Sequence, residues 1–322
     1  MRIVKSAEFS MRFSTIAPED PGTWQPLLNR VRAADSAGVD RVVLTGEHVV
    51  LGEHLDNYGR PELGGRAGGR QPTGPDGHFL EPLTTMSFLC GMTSRVRFTN
   101  SIMLAALRRP VVLAKAAATL DVLSGGRLDL GVGVGWQREE YEAAGLDFDA
   151  RGRLLDHTLE VCQTLWRDQR ASYSSPELSF EAIHMMPKPV NPNGVPIWVS
   201  GTVSPRPMRR LARFGTGWIP WGEASDNTDD LLEAIPKMRD AVSALGRDPA
   251  DVQIAGKLPL VHDKHGIPMI EPTMDGVATL VEAGVTDVRA LLPVPDDEHA
   301  AEDYIAEWMA AFRNTTVSYA NA

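Results

Sequence analysis

The stretch 110–136, PVVLAKAAATLDVLSGGRLDLGVGVGW, contains one complete period of an alternating helix–strand pattern. Pro110 suits the first turn of a helix, where its missing N–H costs no hydrogen bond. Leu113, Ala116, Ala117 and Leu120 then recur at helical spacing. Ser124-Gly125-Gly126 supplies the residues that stop a helix. A short apolar run over 128–132 reads as a strand. It leads into Gly131-Val132-Gly133-Val134-Gly135-Trp136, alternate glycines that admit another group close to the backbone.

The same alternation runs outward in both directions. Strand-like runs lie over 9–16, 41–44, 96–104, 197–199, 218–219, 252–255 and 288–292, which with 128–132 makes eight. A helical pattern follows each. Asp20-Pro21 opens the first, with Trp24, Leu27, Leu28 and Val31 as its apolar stripe. Others read over 81–93 and 151–166, the latter with Leu155, Leu159, Cys162 and Trp166 on one side. Ser204-Pro205 starts another. Leu231, Ile235, Met238 and Val242 mark the next, in which Pro236 predicts a kink. Val277, Leu280 and Val281, then Ile305, Trp308, Met309 and Phe312, mark the last two. Eight strands each followed by a helix predict the α/β class and a single (β/α)8 TIM barrel over 1–322, in preference to an open doubly wound sheet with fewer strands. Two segments break the rhythm: a long insertion after strand two, a lid-like loop over 50–78, and an excursion over 172–192 before strand five. Residues 1–10 read as an N-terminal extension.

Composition agrees with one large core: 322 residues at 43% hydrophobic content are long for one domain, but not for a barrel. A net charge of −10 and no Lys/Arg-rich run argue against a nucleic-acid partner. No apolar run is long enough to span a membrane. The first ten residues lack the apolar stretch of a signal peptide, so the expectation is a cytoplasmic protein. Cys90 and Cys162 read as small buried hydrophobes.

In barrels the chemistry gathers where strands end and helices begin. Strand two ends in Thr45-Gly46-Glu47-His48. A histidine there faces the mouth and titrates near neutrality. The competing reading ties it to Glu47 or a backbone carbonyl for structural reasons. The glycines at 131, 133 and 135 suit a flat cofactor edge, or close packing between strands. Ser200-Gly201-Thr202-Val203-Ser204-Pro205 offers small residues and N–H groups at a helix start, the chemistry of a phosphate site, or an ordinary serine cap. Arg206, on that helix, is within reach of an anion. The loop over 50–78 carries Arg60, Arg66 and Arg70 for an anionic substrate or cofactor tail; disorder is the alternative. Trp221 follows strand six. His157, His184, His262, His265 and His299 form no metal set.

The runs 110–115, 118–121, 123–128 and 131–136 together resemble the bacterial-luciferase-like oxidoreductases. So do Gly46-Glu47-His48-Val49, Pro187-Lys188-Pro189-Val190, Pro196-Ile197-Trp198-Val199 and Gly215-Thr216-Gly217-Trp218. The resemblance covers nearly the whole chain from Met11, weakens after about Pro259, and is closest to the F420-dependent branch. It implies a β/α barrel binding FMN or the deazaflavin coenzyme F420, a small-molecule substrate and a homodimer. It implies His48 as the catalytic histidine, and a non-proline cis peptide at Ser101–Ile102 backing the ring, with Asn100 beside it. Val134 and Gly135 would border the coenzyme. Gly201, Thr202, Val203 and Ser204 would form the phosphate turn, and Glu47, Trp136 and Trp221 the substrate pocket. The chain departs from the family pattern at Thr99-Asn100-Ser101, where Gly-Thr-Gly is frequent, and at Gly201-Thr202, where Gly-Gly is. Trp136 stands where some F420 enzymes place a catalytic glutamate; it can wall the pocket or stack on the ring, but it moves no proton.

Three functions follow as expectations: hydride transfer between F420 and a small organic substrate; an FMN-dependent monooxygenase using molecular oxygen and a separate reductase; and a flavin-binding barrel without turnover, which the presence of His48 disfavours. A phosphate-handling lyase or isomerase fits poorly, because Pro293-Val294-Pro295-Asp296 lacks a glycine-rich turn.

Overall fold

The computed structural model describes residues 7–320. Eight parallel strands form its centre: β1 (Glu8–Phe13), β2 (Arg41–Thr45), β3 (Arg97–Ser101), β4 (Leu130–Val132), β5 (Ile197–Gly201), β6 (Gly217–Pro220), β7 (Gln253–Lys257) and β8 (Asp287–Ala290). The main helices are α1 (Gln25–Ala37), α2 (Pro82–Cys90), α3 (Pro110–Leu123), α4 (Arg151–Arg167), α5 (Pro205–Phe214), α6 (Thr228–Ala244), α7 (Ile270–Ala283) and α8 (Glu298–Ala320).

Hydrogen bonding runs in the order β3-β2-β1-β8-β7-β6-β5-β4. The two ends then meet. Phe98 pairs with Leu128 and Met103 with Val132, and the Met103 N–H donates to Gly131 O at 2.7 Å. The sheet is closed, and the fold is a (β/α)8 TIM barrel. Gly131 makes the closure possible: a Cβ there would overlap the carbonyl oxygen of Asn100.

Alternate strand residues face the helices or the barrel interior. Phe9, Met11, Val42, Leu44 and Phe98 point outward into the main core. Phe9 meets Phe312 of α8 at 4.9 Å between ring centroids, so the last helix seals the first strand. The interior is polar at its N-terminal end. Arg41, 1% exposed, reaches Asp129 at 3.0 Å, Asp287 at 3.1 Å and Glu8 at 2.7 Å. Arg41 and Arg289 also both stack on the Trp198 ring, 5.0 and 5.2 Å from its centroid. Burial alone would lower the pKa of Arg41. The carboxylates of Asp287, Asp129 and Glu8 reverse that and raise its pKa.

Several element limits differ from the sequence expectation. Residues 8–10, expected as part of an extension, belong to β1: Glu8 pairs with Asp287, and Ser10 is fully buried. Residues 1–6 of that extension lie outside the described residues. The first strand stops at Phe13. Ile16–Ala17 instead pairs antiparallel with His78–Phe79, which ties the C-terminal end of the long insertion to the connection after β1. α1 starts at Gln25 because the Asp20 carboxylate accepts the Gly22 N–H in a turn and caps nothing. Strand three ends at Ser101, where the chain passes through a cis peptide to Ile102. α6 continues through Pro236. The excursion forms a hairpin, Ala171–Ser174 with Ser179–Ile183. A short helix that the sequence reading missed, Arg138–Ala143, follows β4. Cys90 and Cys162 are buried free thiols, as expected.

Candidate active site

Seven of the strands, and Gly133 directly after β4, contribute to one cavity of about 1010 Å³ at the C-terminal end of the barrel. That is room for a three-ring coenzyme and a small substrate. Its floor is apolar: Ile102, Ile219 and Ala255 border it, above the fully buried Trp198. Gly133 and Gly135 line the β4 side. A Cβ on Gly133 would lie 2.9 Å from the Ile102 side chain, and one on Gly135 2.7 Å from Leu104. These glycines therefore serve the close packing of β4 against the end of β3. The same packing leaves the wall beside the floor flat.

His48 follows β2 and lines the cavity with only a tenth of its side chain exposed. The ring stands edge-on to Phe79 and Trp136, at 5.1 and 5.7 Å between centroids. Its Nδ1 lies 3.1 Å from the Oε2 of Glu140, on the short helix Arg138–Ala143. The second Glu140 oxygen accepts the Val49 N–H at 2.7 Å. The carboxylate thus holds both the imidazole and the backbone that carries it. Glu140 is 2% exposed. Sequence reading missed it because it sits in an acidic run, Glu139-Glu140, that reads as a solvated helix start.

Glu47 borders the cavity, but its carboxylate is committed elsewhere. It accepts the Leu104 N–H at 2.8 Å and an Arg108 N–H at 3.0 Å. It pins the turn after β3 and does not hold His48. Ser101 and Ile102 both line the cavity, and the peptide between them is cis, as the resemblance implies. Asn100 does not lie there. It is fully buried, shares the outward face of β3 with Phe98, and its side-chain amide has no hydrogen-bond partner among the described residues. Strand parity decides this: residues 97, 99 and 101 face inward, so 98 and 100 face the helices.

Gly201 and Thr202 border the cavity, and Ser204 borders a second hollow of about 450 Å³ beside it. Val203 packs against the core and can offer only its backbone. Prolines at 205 and 207 remove two of the N–H donors expected at the start of α5. The Ser204 N–H is taken by Thr202 O at 2.8 Å. Available to an anion there are the hydroxyl pair of Thr202 and Ser204, 3.1 Å apart, and the guanidinium of Arg206 in the second hollow.

The insertion over 50–78 is folded. Its two 3₁₀ turns, Leu55–Gly59 and Pro61–Leu63, bring Tyr58 over the mouth. The Tyr58 ring stands 5.4 Å from Trp136 and 6.3 Å from Trp221. Arg66 and Arg70 line the cavity, and Arg66 pairs with Asp226. Nothing in the sequence singles out Tyr58, because only the 3₁₀ turn Leu55–Gly59 carries it to the mouth. Among the described residues no cluster of three or more His, Cys, Asp or Glu is arranged to hold a metal ion, and no helix is long and apolar enough to cross a membrane.

The sequence model of the family described as luciferase-like monooxygenase matches residues 9–265. This chain belongs to that family. Among its relatives, an uncharacterized protein of Mycobacterium tuberculosis is 30% identical over 227 residues, 69% of this chain and 73% of that protein. In fold, the luciferase-like barrel is similar to the monooxygenase RslO1 of Streptomyces bottropensis. That match has a TM-score of 0.72 and 19% identity, over 94% of this chain and 98% of that one. It is similar also to the coenzyme F420-dependent tetrahydromethanopterin reductase of Methanopyrus kandleri. Here the TM-score is 0.68 and the identity 17%, over 95% and 99% of the two chains. At these identities the structural likeness is one of fold. The luciferase-like assignment makes the chain one of a family of oxidoreductases and monooxygenases whose structural neighbours use F420 or flavin.

Proposed function

We propose that this luciferase-like barrel is an oxidoreductase that exchanges a hydride between coenzyme F420 and a small organic substrate. The observation that carries the choice of coenzyme is the second hollow. It shares Val134, Pro207 and Arg210 with the main cavity, lies beside the Thr202–Ser204 hydroxyls, and is lined by Arg151, Arg206 and Arg209 against one acid, Asp149, which Arg138 pairs. FMN ends at its phosphate. F420 continues beyond it into a chain of carboxylates, for which a cationic hollow past the phosphate turn is the fitting surface.

The residues present suit the group. The floor of Ile102, Ile219 and Ala255 with the glycine wall would carry the ring, and Thr202, Ser204 and Arg206 its phosphate. When bound, the coenzyme supplies or accepts the hydride. His48 holds or moves the accompanying proton at its Nε2, because its Nδ1 is occupied by Glu140. Trp136, Tyr58 and Trp221 wall the substrate and keep water from it. The insertion acts as the lid.

Fluorescence titration of the purified protein with F420 and with FMN tests this reading. Tighter binding of F420 is expected. Preference for FMN would move the chain to an oxygen-using monooxygenase served by a separate reductase, and binding of neither would end the proposal.

A further inference from the structure

On the side of the cavity away from the proposed phosphate turn, three cations converge. Lys257 on β7 pairs in register with Arg289 on β8, and Arg289 pairs with Ser10 on β1. Arg12 is the next inward-facing residue along β1. All three line the cavity. Their strands are neighbours, and β1 lies between β8 and β2, the strand that leads to His48.

Their charge is incompletely balanced. Arg289 is 5% exposed; its Nε donates to Asp287 at 2.7 Å, yet its buried Nη2 has no hydrogen-bond partner among the described residues. Arg12 is partly buried and, among the described residues, makes no ion pair or side-chain hydrogen bond. Lys257 shares Asp226, at 3.3 Å, with Arg66. Glu223 and Asp230 also border the cavity, on the side that leads to α6, but neither pairs with Arg12. Burial weakens the hold of Arg12 on its proton, and Arg289 weakens it further. Lys257 is lowered by burial, then by Arg12 and Arg66. Arg289 is buried, Arg12 partly so and Lys257 exposed at the cavity mouth, and like charges gathered on one wall disfavour one another until an opposite charge joins them.

We infer that the substrate carries an oxyanion, a carboxylate or phosphate, seated on Arg12, Arg289 and Lys257, with an apolar body against Tyr58, Trp136 and Trp221. The inference rests on the proposed function for the reaction, but not for the anion site. Guanidinium groups take such oxyanions through paired N–H donors. The body would then lie between the anion site and His48, over the apolar floor.

The test uses the purified full-length protein without coenzyme and follows its tryptophan fluorescence, because Trp136 and Trp221 line the cavity. Benzoate, its neutral analogue benzamide, and inorganic phosphate are titrated in turn. Saturable binding of benzoate or phosphate is expected, with benzamide at least about tenfold weaker than benzoate. The tighter of the two anions tells a carboxylate substrate from a phosphorylated one. Arg12→Gln should weaken the anion about tenfold or more and leave F420 binding, read by the fluorescence of F420 itself, unchanged. Lys257→Gln serves the same purpose should Arg12→Gln fail to fold by circular dichroism. Arg289 is left in place because it holds Asp287. Equal binding of benzoate and benzamide, no saturable anion binding, unaltered affinity in the variants, or parallel loss of F420 would each overturn the anion site. Failure of the wild-type protein to bind F420 would instead refute the proposed reaction and leave the anion comparison standing.

Discussion

The Nδ1 atom of His48 lies 3.1 Å from the Oε2 atom of Glu140, a residue 92 positions later in the chain. The pair fixes which ring nitrogen can face the cavity. Glu140→Gln keeps the shape of the side chain but removes its charge. We expect turnover with F420 to fall about 10–100-fold at nearly unchanged coenzyme affinity. His48→Ala should lower it by about 10²–10⁴-fold. Steady-state kinetics beside a binding titration checks both. Wild-type rates in His48→Ala would remove the histidine from the mechanism.

Arg206 and Arg209 border the hollow beyond Ser204. Replacing both with Gln should weaken F420 by about five- to tenfold, the loss of one or two solvent-facing ion pairs. FMN affinity should move less. A titration in which both coenzymes weaken equally would place the arginines at the phosphate alone.

Gly131 and Gly133 should respond differently to a methyl group. A Cβ at 131 meets the Asn100 backbone carbonyl, which cannot turn aside, whereas one at 133 meets the Ile102 side chain, which can rotate. Gly131→Ala should cost about 1–3 kcal/mol or more in urea unfolding. Gly133→Ala should cost less, but push Ile102 over the cavity floor and weaken coenzyme binding. Equal stability of the two variants would contradict the closure described for β3 and β4.

Burial works to raise the Asp287 pKa, but Arg289, Arg41 and the Ser10 hydroxyl together hold it below the ordinary carboxylate value. A depressed folded-state pKa contributes stability above the unfolded value, about 3.9, and loses it as pH falls through the folded one. Urea midpoints measured from pH 6 downward should therefore drop steeply below about pH 4. Asp287→Asn should cost about 3–5 kcal/mol at neutral pH, since Arg41 and Arg289 lose a buried partner. It should also flatten the acid limb. An unchanged acid limb in the variant would show that other carboxylates govern it.

Much of this protein was legible before any coordinates. Eight apolar runs spaced by amphipathic helices determine an α/β fold and favour a barrel, because each helix must bury its stripe against the sheet and eight parallel strands are enough to close it. Local order then puts His48, Trp136, Gly201 and Trp221 at strand ends, hence on the open face. What only the tertiary structure decided depends on closure and register. Whether Asn100 or Ser101 faces the interior turns on one residue of parity, and 96–104 shows no clean alternation to reveal it. Glu140, Tyr58, Arg12, Lys257 and Arg289 are scattered along the chain and read one by one as solvated or routine. They become a site because parallel strands from distant segments meet around one axis, where burial and the neighbouring charges change what each group can do.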